Sequence, residues 1–300
     1  MSRVLSALWG NPKSRLGLII LGLIGLLAFF GPLFTVSADA LVAQPHLAPC
    51  WDHLLGTTGQ GQDVLAQLVS GAGPTLIVGF AVGLIVTAVG GLIGITSGFL
   101  GGTTDELVTL LINIFLVIPG LPLAIILAAY LPPGPLSLVG VLSLTGWAWT
   151  ARVVRAQTLS LRRRDFISAS IIAGERTWRV VLVELTPHLA SLLLSTFIGT
   201  TIYAIGAQVG LEFLGLGDVS AVTWGTNLYW ASNDQALLTR AWWTFVPTGL
   251  GVALVGFSLA LINFGLDEIS NPRLSVERRW RSALAARGVK ITHLTPREPK

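Results

Sequence analysis

His46, Cys50, Asp52 and His53 form the one close grouping of metal-ligating side-chain types in this sequence. Their spacing matches no strong metal motif, so they read as solvated loop residues and no metal site is expected. Glu212 stands at the end of a long apolar run. A carboxylate there can face a cationic group at a gate, or simply be a hydrated helix end. Asn113, Thr200, Thr201, Tyr203 and Gln208 are polar positions within apolar runs. They are candidates to line a path, and hydrogen bonding between helices accounts for them as well.

Other chemistry is poorly supported. Away from their ends, the apolar runs contain no Asp, Glu, Lys, Arg or His, the groups that ion-coupled transporters usually need at membrane depth. There is no glycine-rich phosphate loop with its Lys-Ser/Thr, so the chain is not expected to bind ATP itself. His188 sits at the edge of an apolar run with no carboxylate fixed beside it by the sequence, which argues against an intramembrane hydrolase. No catalytic residue is expected.

The elements that would position these residues follow from composition. The 300 residues are 52% hydrophobic and 11% charged, with a mean hydropathy of +0.73. Those values belong to an all-α polytopic membrane protein. Glycine, at 34 residues, suits close helix packing in lipid. The single Cys50 forms no internal disulfide. Six apolar runs are expected to cross a bilayer: 16–34, 75–97, 107–131, 136–151, 189–211 and 241–264. Pro119 and Pro122 should kink the third. The first is read as an uncleaved anchor, after a 1–15 segment.

Charge sets the expected sidedness. Of 19 Lys and Arg, all but Arg240 fall before the first run, between the fourth and fifth, or after the sixth. The loop 35–74 has none. This places both termini and the stretch 152–188 in the cytoplasm. The net charge of +4 is explained by this topology rather than by nucleic acid. The triplet Arg162, Arg163 and Arg164 is explained by topology and anionic lipid. The tail 275–300 ends polar and is expected to be partly disordered.

The stretch 152–188 is too patterned to be a tether. Ala169, Ile172 and Ala173 recur at helical spacing before Gly174, where one short helix can end and another begin. Pro187 then suits the start of the next helix. Ser168-Ala169-Ser170, Gly174, Glu184, Thr186 and Pro187 fall on the signature of permease subunits of binding-protein-dependent ABC importers: Glu-Ala-Ala, three residues, Gly, nine residues, Ile, one residue, Leu-Pro. The Gly, the Pro and the central Ala match. Gly56, Thr57, Gly61, Asp63, Val64, Leu65, Gly71 and Ala72 resemble a second pattern, of the dipeptide/oligopeptide/nickel branch. Phe213 to Gly217, Trp224-Gly225, and Asp267 with Pro272, Arg273 and Leu274 resemble the branch's later motifs.

The resemblance spans nearly the whole chain and is similar to the second permease of peptide systems. It implies a type I importer permease fold with a coupling loop carrying Asp165, Ser168, Ala169, Ser170, Gly174 and Pro187. It implies a bacterial inner or plasma membrane location, and no cofactor in this chain, with ATP and magnesium on partner subunits. The implied partners are a homologous permease, two ATPase subunits and an external binding protein. Di- or oligopeptides are the expected solute, with nickel chelates or oligosaccharides as alternatives. The rival class is a self-sufficient channel or secondary transporter.

Overall fold

The computed structural model describes residues 8–270. The matches at Pro272, Arg273 and Leu274 and the tail 275–300 lie outside the described residues, and the side chain of Asp267 outside the described side chains. Among the described residues the regular structure is helical, with two isolated β-bridges, Leu41 to Gln62 and Thr57 to Asp63. Among the described residues, five helical stretches are long and apolar enough to cross a membrane: Pro12–Leu33, Val64–Leu100, Pro135–Arg162, Thr177–Phe213 and Trp242–Leu266. A sixth crossing is a broken pair, Gly102–Val117 and Gly120–Tyr130, bent by 82°. In chain order the helices are α1 (Pro12–Phe30), α2 (Val64–Leu100), α3 (Gly102–Val117), α4 (Gly120–Tyr130), α5 (Pro135–Arg162), α6 (Asp165–Ile172), α7 (Thr186–Phe213), α8 (Trp224–Asn233) and α9 (Val246–Ser270).

Several bounds differ from the hydropathy reading. α2 begins eleven residues before the apolar run, because the Asp63 carboxylate caps it by accepting from the Ala66 N–H at 2.9 Å. At about 1.5 Å per residue its 37 residues exceed a hydrocarbon core, so the helix continues beyond lipid. α5 likewise runs on to Arg162, so Arg152 and Arg155 belong to a span rather than to the following stretch. Both are bonded from α3. Arg155 makes a two-pronged bond to Asp105, at 2.5 and 2.7 Å, and Arg152 donates to Asn113 Oδ1 at 2.6 Å. The third crossing is broken rather than kinked. Ile118 and Pro119 take extended backbone, and Pro122 falls in the first turn of α4, where its missing N–H costs nothing.

α2 is the central helix. It packs most extensively on α5 and next on α7. Gly90, Gly94 and Gly98 line one face. A Cβ added to them would meet α5 backbone: Trp147 O at 2.7 Å, Ala151 O at 2.6 Å and Arg155 O at 3.0 Å. On another face Gly79 and Gly83 admit Ile205 and Thr201 of α7. Without a strong hydrophobic drive between helices in lipid, such close approach is what binds them. α1 packs chiefly on α9, where Ser258 O would lie 2.5 Å from a Cβ at Gly17.

This packing makes a measurable difference between two glycines. Gly94→Leu should lower the thermal midpoint of the purified protein, since overpacking costs roughly 1–3 kcal/mol of stability. At Gly22 an added Cβ meets nothing within 4 Å, so Gly22→Leu should leave the midpoint unchanged. Equal midpoints would rule out tight α2–α5 contact.

Candidate coupling plate and translocation path

The arginine-rich stretch after α5 folds into a plate seated by one side chain. Ile167 of α6 is fully buried and packs in a cluster with Ile95, Phe99, Val154, Val180, Leu185 and Leu189. The remainder of α6 faces away. Phe166, Ile171 and Ile172 are 36%, 51% and 86% exposed. Asp165 occupies the first turn of α6, where a carboxylate suits the helix dipole. Ser168 and Ser170 donate back to the carbonyls of Arg164 and Phe166, and Ala169 is exposed.

Gly174 ends the helix. Its φ is +78°, its N–H bonds Ile171 O at 3.1 Å, and the Glu175 N–H reaches Ser170 O at 3.2 Å. This pair of bonds is the Schellman arrangement, which needs a left-handed residue here. A short turn, Thr177–Arg179, follows, braced by an ion pair of Arg179 with Glu175. A π-helical turn, Val180–Leu185, then leads into α7. The Thr186 N–H and hydroxyl both bond Val181 O. Pro187 sits in the first turn of α7. His188 stacks on Phe166 with ring centroids 4.8 Å apart, while its Nδ1 bonds Glu184 O at 2.6 Å. The roles of Phe166 and Ile167 were not evident from sequence; an adjacent aromatic–aliphatic pair at the start of a short helix is the signal that marks them.

The other sequence candidates lie in several settings. Asn113 is committed to Arg152. Thr201 is fully buried against α2 and donates to Phe197 O at 2.8 Å. Thr200 and Tyr203 line a cavity of about 620 Å³ between α5, α7 and α9. Tyr203 also borders a second cavity of about 390 Å³ between α4 and α7. Its hydroxyl points toward the break in the third crossing, where a Cβ on Gly120 would lie 3.7 Å from it.

Gln208 and Glu212 belong to a buried network at the far end of α7. Glu212 is 4% exposed, so it is neither a hydrated helix end nor an open gate residue. Its carboxylate accepts from Gln208 Nε2 at 3.0 Å, Thr223 Oγ1 at 2.7 Å and the Gly225 N–H. Thr223 is also the N-cap of α8, in a capping box with Thr226. Trp224 then ties α8 to α2, through its N–H to Thr75 Oγ1 at 3.1 Å and its indole to Leu68 O at 2.9 Å. A side chain at Gly225 would collide with Glu212.

The loop before α2 packs on this end of the bundle. His53 Nδ1 pairs with Asp63 Oδ2 at 2.8 Å, and His46 Nε2 bonds Asp234 O at 3.1 Å. Cys50 and Asp52 are exposed. Among the described residues no three His, Cys, Asp or Glu side chains converge on a metal position. Burial holds the Asp234 carboxyl above its usual range, opposed by nearby His46. Bonds from the Ser220 hydroxyl and amide hold Asp218 below it.

Residues 90–276 match the family model described as binding-protein-dependent transport system inner membrane component. The oligopeptide transport system permease protein OppC of Bacillus subtilis is 32% identical over 270 residues, covering 88% of this chain and 87% of the relative. The dipeptide transport system permease protein DppC of the same organism is 29% identical over 270 residues, covering 88% and 83%. OppC of Lactococcus lactis is 29% identical over 240 residues, covering 78% and 81%. With its apolar spans and this match over most of its length, the chain belongs to the inner membrane components of binding-protein-dependent transport systems and is a multi-pass membrane protein.

Proposed function

We propose that the chain is one permease subunit of an ATP-driven ABC importer and forms half of the path for di- or oligopeptides handed over by an external binding protein. The names of its relatives support the solute class. In this reading a homologous permease supplies the other half. Two ATPase subunits carry ATP and magnesium, and this chain holds no cofactor. Both termini and the plate face the cytoplasm.

The observation that carries the reading is the outward edge of α6. Two large apolar side chains, Ile171 and Ile172, point away from a helix seated by one buried isoleucine, while Phe166 beside them stacks on His188. The arginines around them keep this edge out of lipid. An apolar edge off the membrane suits a protein partner. The ATPase subunits are the partner that this site would take. Closure of the ATPases would push α6, and the π-turn would pass the push into α7.

Two measurements bear on this. Ile172→Glu should leave pairing with the second permease intact, because no span is touched. It should abolish co-purification of the ATPase subunits or, if they still bind, solute-stimulated ATP hydrolysis. Normal association together with normal stimulation would remove α6 as the coupling element. For sidedness, exposed Cys50 should react with an impermeant thiol reagent added outside intact cells. In a Cys50→Ser background, Arg163→Cys should not react. Labelling at 163 from outside would invert the proposed topology.

A further inference from the structure

The loop before α2 is fastened to the end of α8 by a contact that is short of a proton. His46 has a φ of +55°, a left-handed backbone that a residue other than glycine keeps only where its surroundings hold it. Its Nε2 lies 3.1 Å from the carbonyl of Asp234, the C-cap of α8. A carbonyl only accepts, so Nε2 carries the hydrogen and Nδ1 of the neutral ring is a bare acceptor. Nδ1 is buried and has no hydrogen-bond partner. Asp234 brings a second such atom. Its Oδ2 is also buried and unpartnered. Its side chain is pressed against the loop at Gly59, where an added side chain would collide with it.

Two acceptors on two residues that already touch cannot satisfy one another, and each is costly to bury unpaired. One proton answers both. On the carboxyl it can donate to Nδ1; on Nδ1 it can donate to the carboxylate. The end of α8 favours it as well, because a carboxylate at a helix C-terminus opposes the dipole and a cation there suits it. The other charged groups nearby are placed differently. His53 and Asp63 are bonded to each other, and Asp39, Asp52 and Arg240 are exposed. Burial holds the Asp234 carboxyl above its usual range, with His46 opposing. A carboxyl raised in the docked loop binds its proton more tightly there than when the loop is free. Docking is therefore fully supported below the ordinary carboxylate range and loses that support as pH rises through the raised value.

We propose that His46 and Asp234 form a proton-held latch, which fastens the loop 35–63 to the end of α8 in acid and loosens it as pH rises. In the proposed topology this end of the bundle faces outward, so the pH it reads is external. On the permease reading it is also the face that a binding protein meets, which gives external pH a handle on delivery. The latch itself stands without that reading.

The test is hydrogen exchange of the full chain in nanodiscs, at about pH 4.5 and about pH 7.5, either side of a raised carboxyl, with intrinsic rates corrected for. The readout is protection of the His46, Thr57 and Gly61 amides, each bonded to a carbonyl of the same loop. Wild type should lose protection by about threefold to tenfold at the higher pH, the worth of one hydrogen bond. Asp234→Asn keeps the shape and carries an amide that can donate to Nδ1 without titrating, so its protection should be the same at both pH values. Asp234→Ala should also show no pH difference, but with less protection, because it lacks the bond to His46. His53→Gln should keep the wild-type difference. The latch is overturned by a wild type without a pH difference, by a difference that survives in either Asp234 variant, or by one that vanishes in His53→Gln. Asn protected no better than Ala at position 234 overturns the bond to His46. If the asparagine variant does not assemble, the alanine variant alone decides: a surviving difference overturns the latch and a lost one supports it.

Discussion

Hydrocarbon gives a backbone nothing to hydrogen-bond and gives apolar side chains little reason to cluster, so spans are held by how closely they approach. In this chain α2 meets that constraint for the whole bundle. Its glycines at 90, 94 and 98 bring it against the backbone of α5, and those at 79 and 83 admit the side chains of α7. The two helices that flank the plate are thus both referenced to one central rod. α6 hangs between the end of α5 and the start of α7, and its anchor Ile167 packs among residues of α2, α5 and α7. The seat of α6 is therefore made from α2, α5, α7 and the π-turn together.

The route onward is short in contacts and long in distance. The π-turn at 180–185 joins the plate to α7, which continues unbroken for 28 residues, or about 42 Å. At its far end the Glu212 carboxylate is buried with donors from Gln208, Thr223 and Gly225. Burying a carboxylate is expensive unless it is fully bonded. Here two side-chain donors, a backbone amide and the N-terminus of α8 share the task, which also suits the dipole of that helix. The network makes α8 an extension of α7 and, through Trp224, of α2. Removing the carboxylate would leave the Thr223 and Gln208 donors to find other partners in a place with little water.

Much of the fold was legible because its signals are local. Apolar runs of membrane length, the charge asymmetry and the Gly174 punctuation can all be read along the chain. The misjudged bounds have a common cause. Hydropathy marks where lipid is, whereas a helix ends where its hydrogen bonds end. Asp63 caps α2 well before the apolar run, and α5 meets no breaker until after Arg162. The break at Pro119 exceeded the expected kink because Ile118, forced extended ahead of a proline, breaks the helix as well. The least legible features were long-range. Nothing beside Glu212 announces Thr223 and Gly225, and nothing beside Asn113 announces Arg152, 39 positions away. Polar residues in a span declare that they need partners without naming them.

The arginines illustrate the same point and bear on mechanism. Seven of them in 152–188 suggest a densely cationic surface. Arg155 is bound to Asp105, Arg152 to Asn113 and Arg179 to Glu175. Two of the seven charges are therefore paired within the chain, and α6 presents Ile171 and Ile172 outward beside exposed Asp165 and Ser168. The central cavity lacks charged side chains. On the permease reading proposed above, a path lined in this way offers no charged side chain for an ion gradient to act on. On that reading, work on a solute enters as movement of helices. On that reading the plate receives it, through the exposed Ile171 and Ile172 of α6 and a helix that continues from the π-turn to the walls of the cavity.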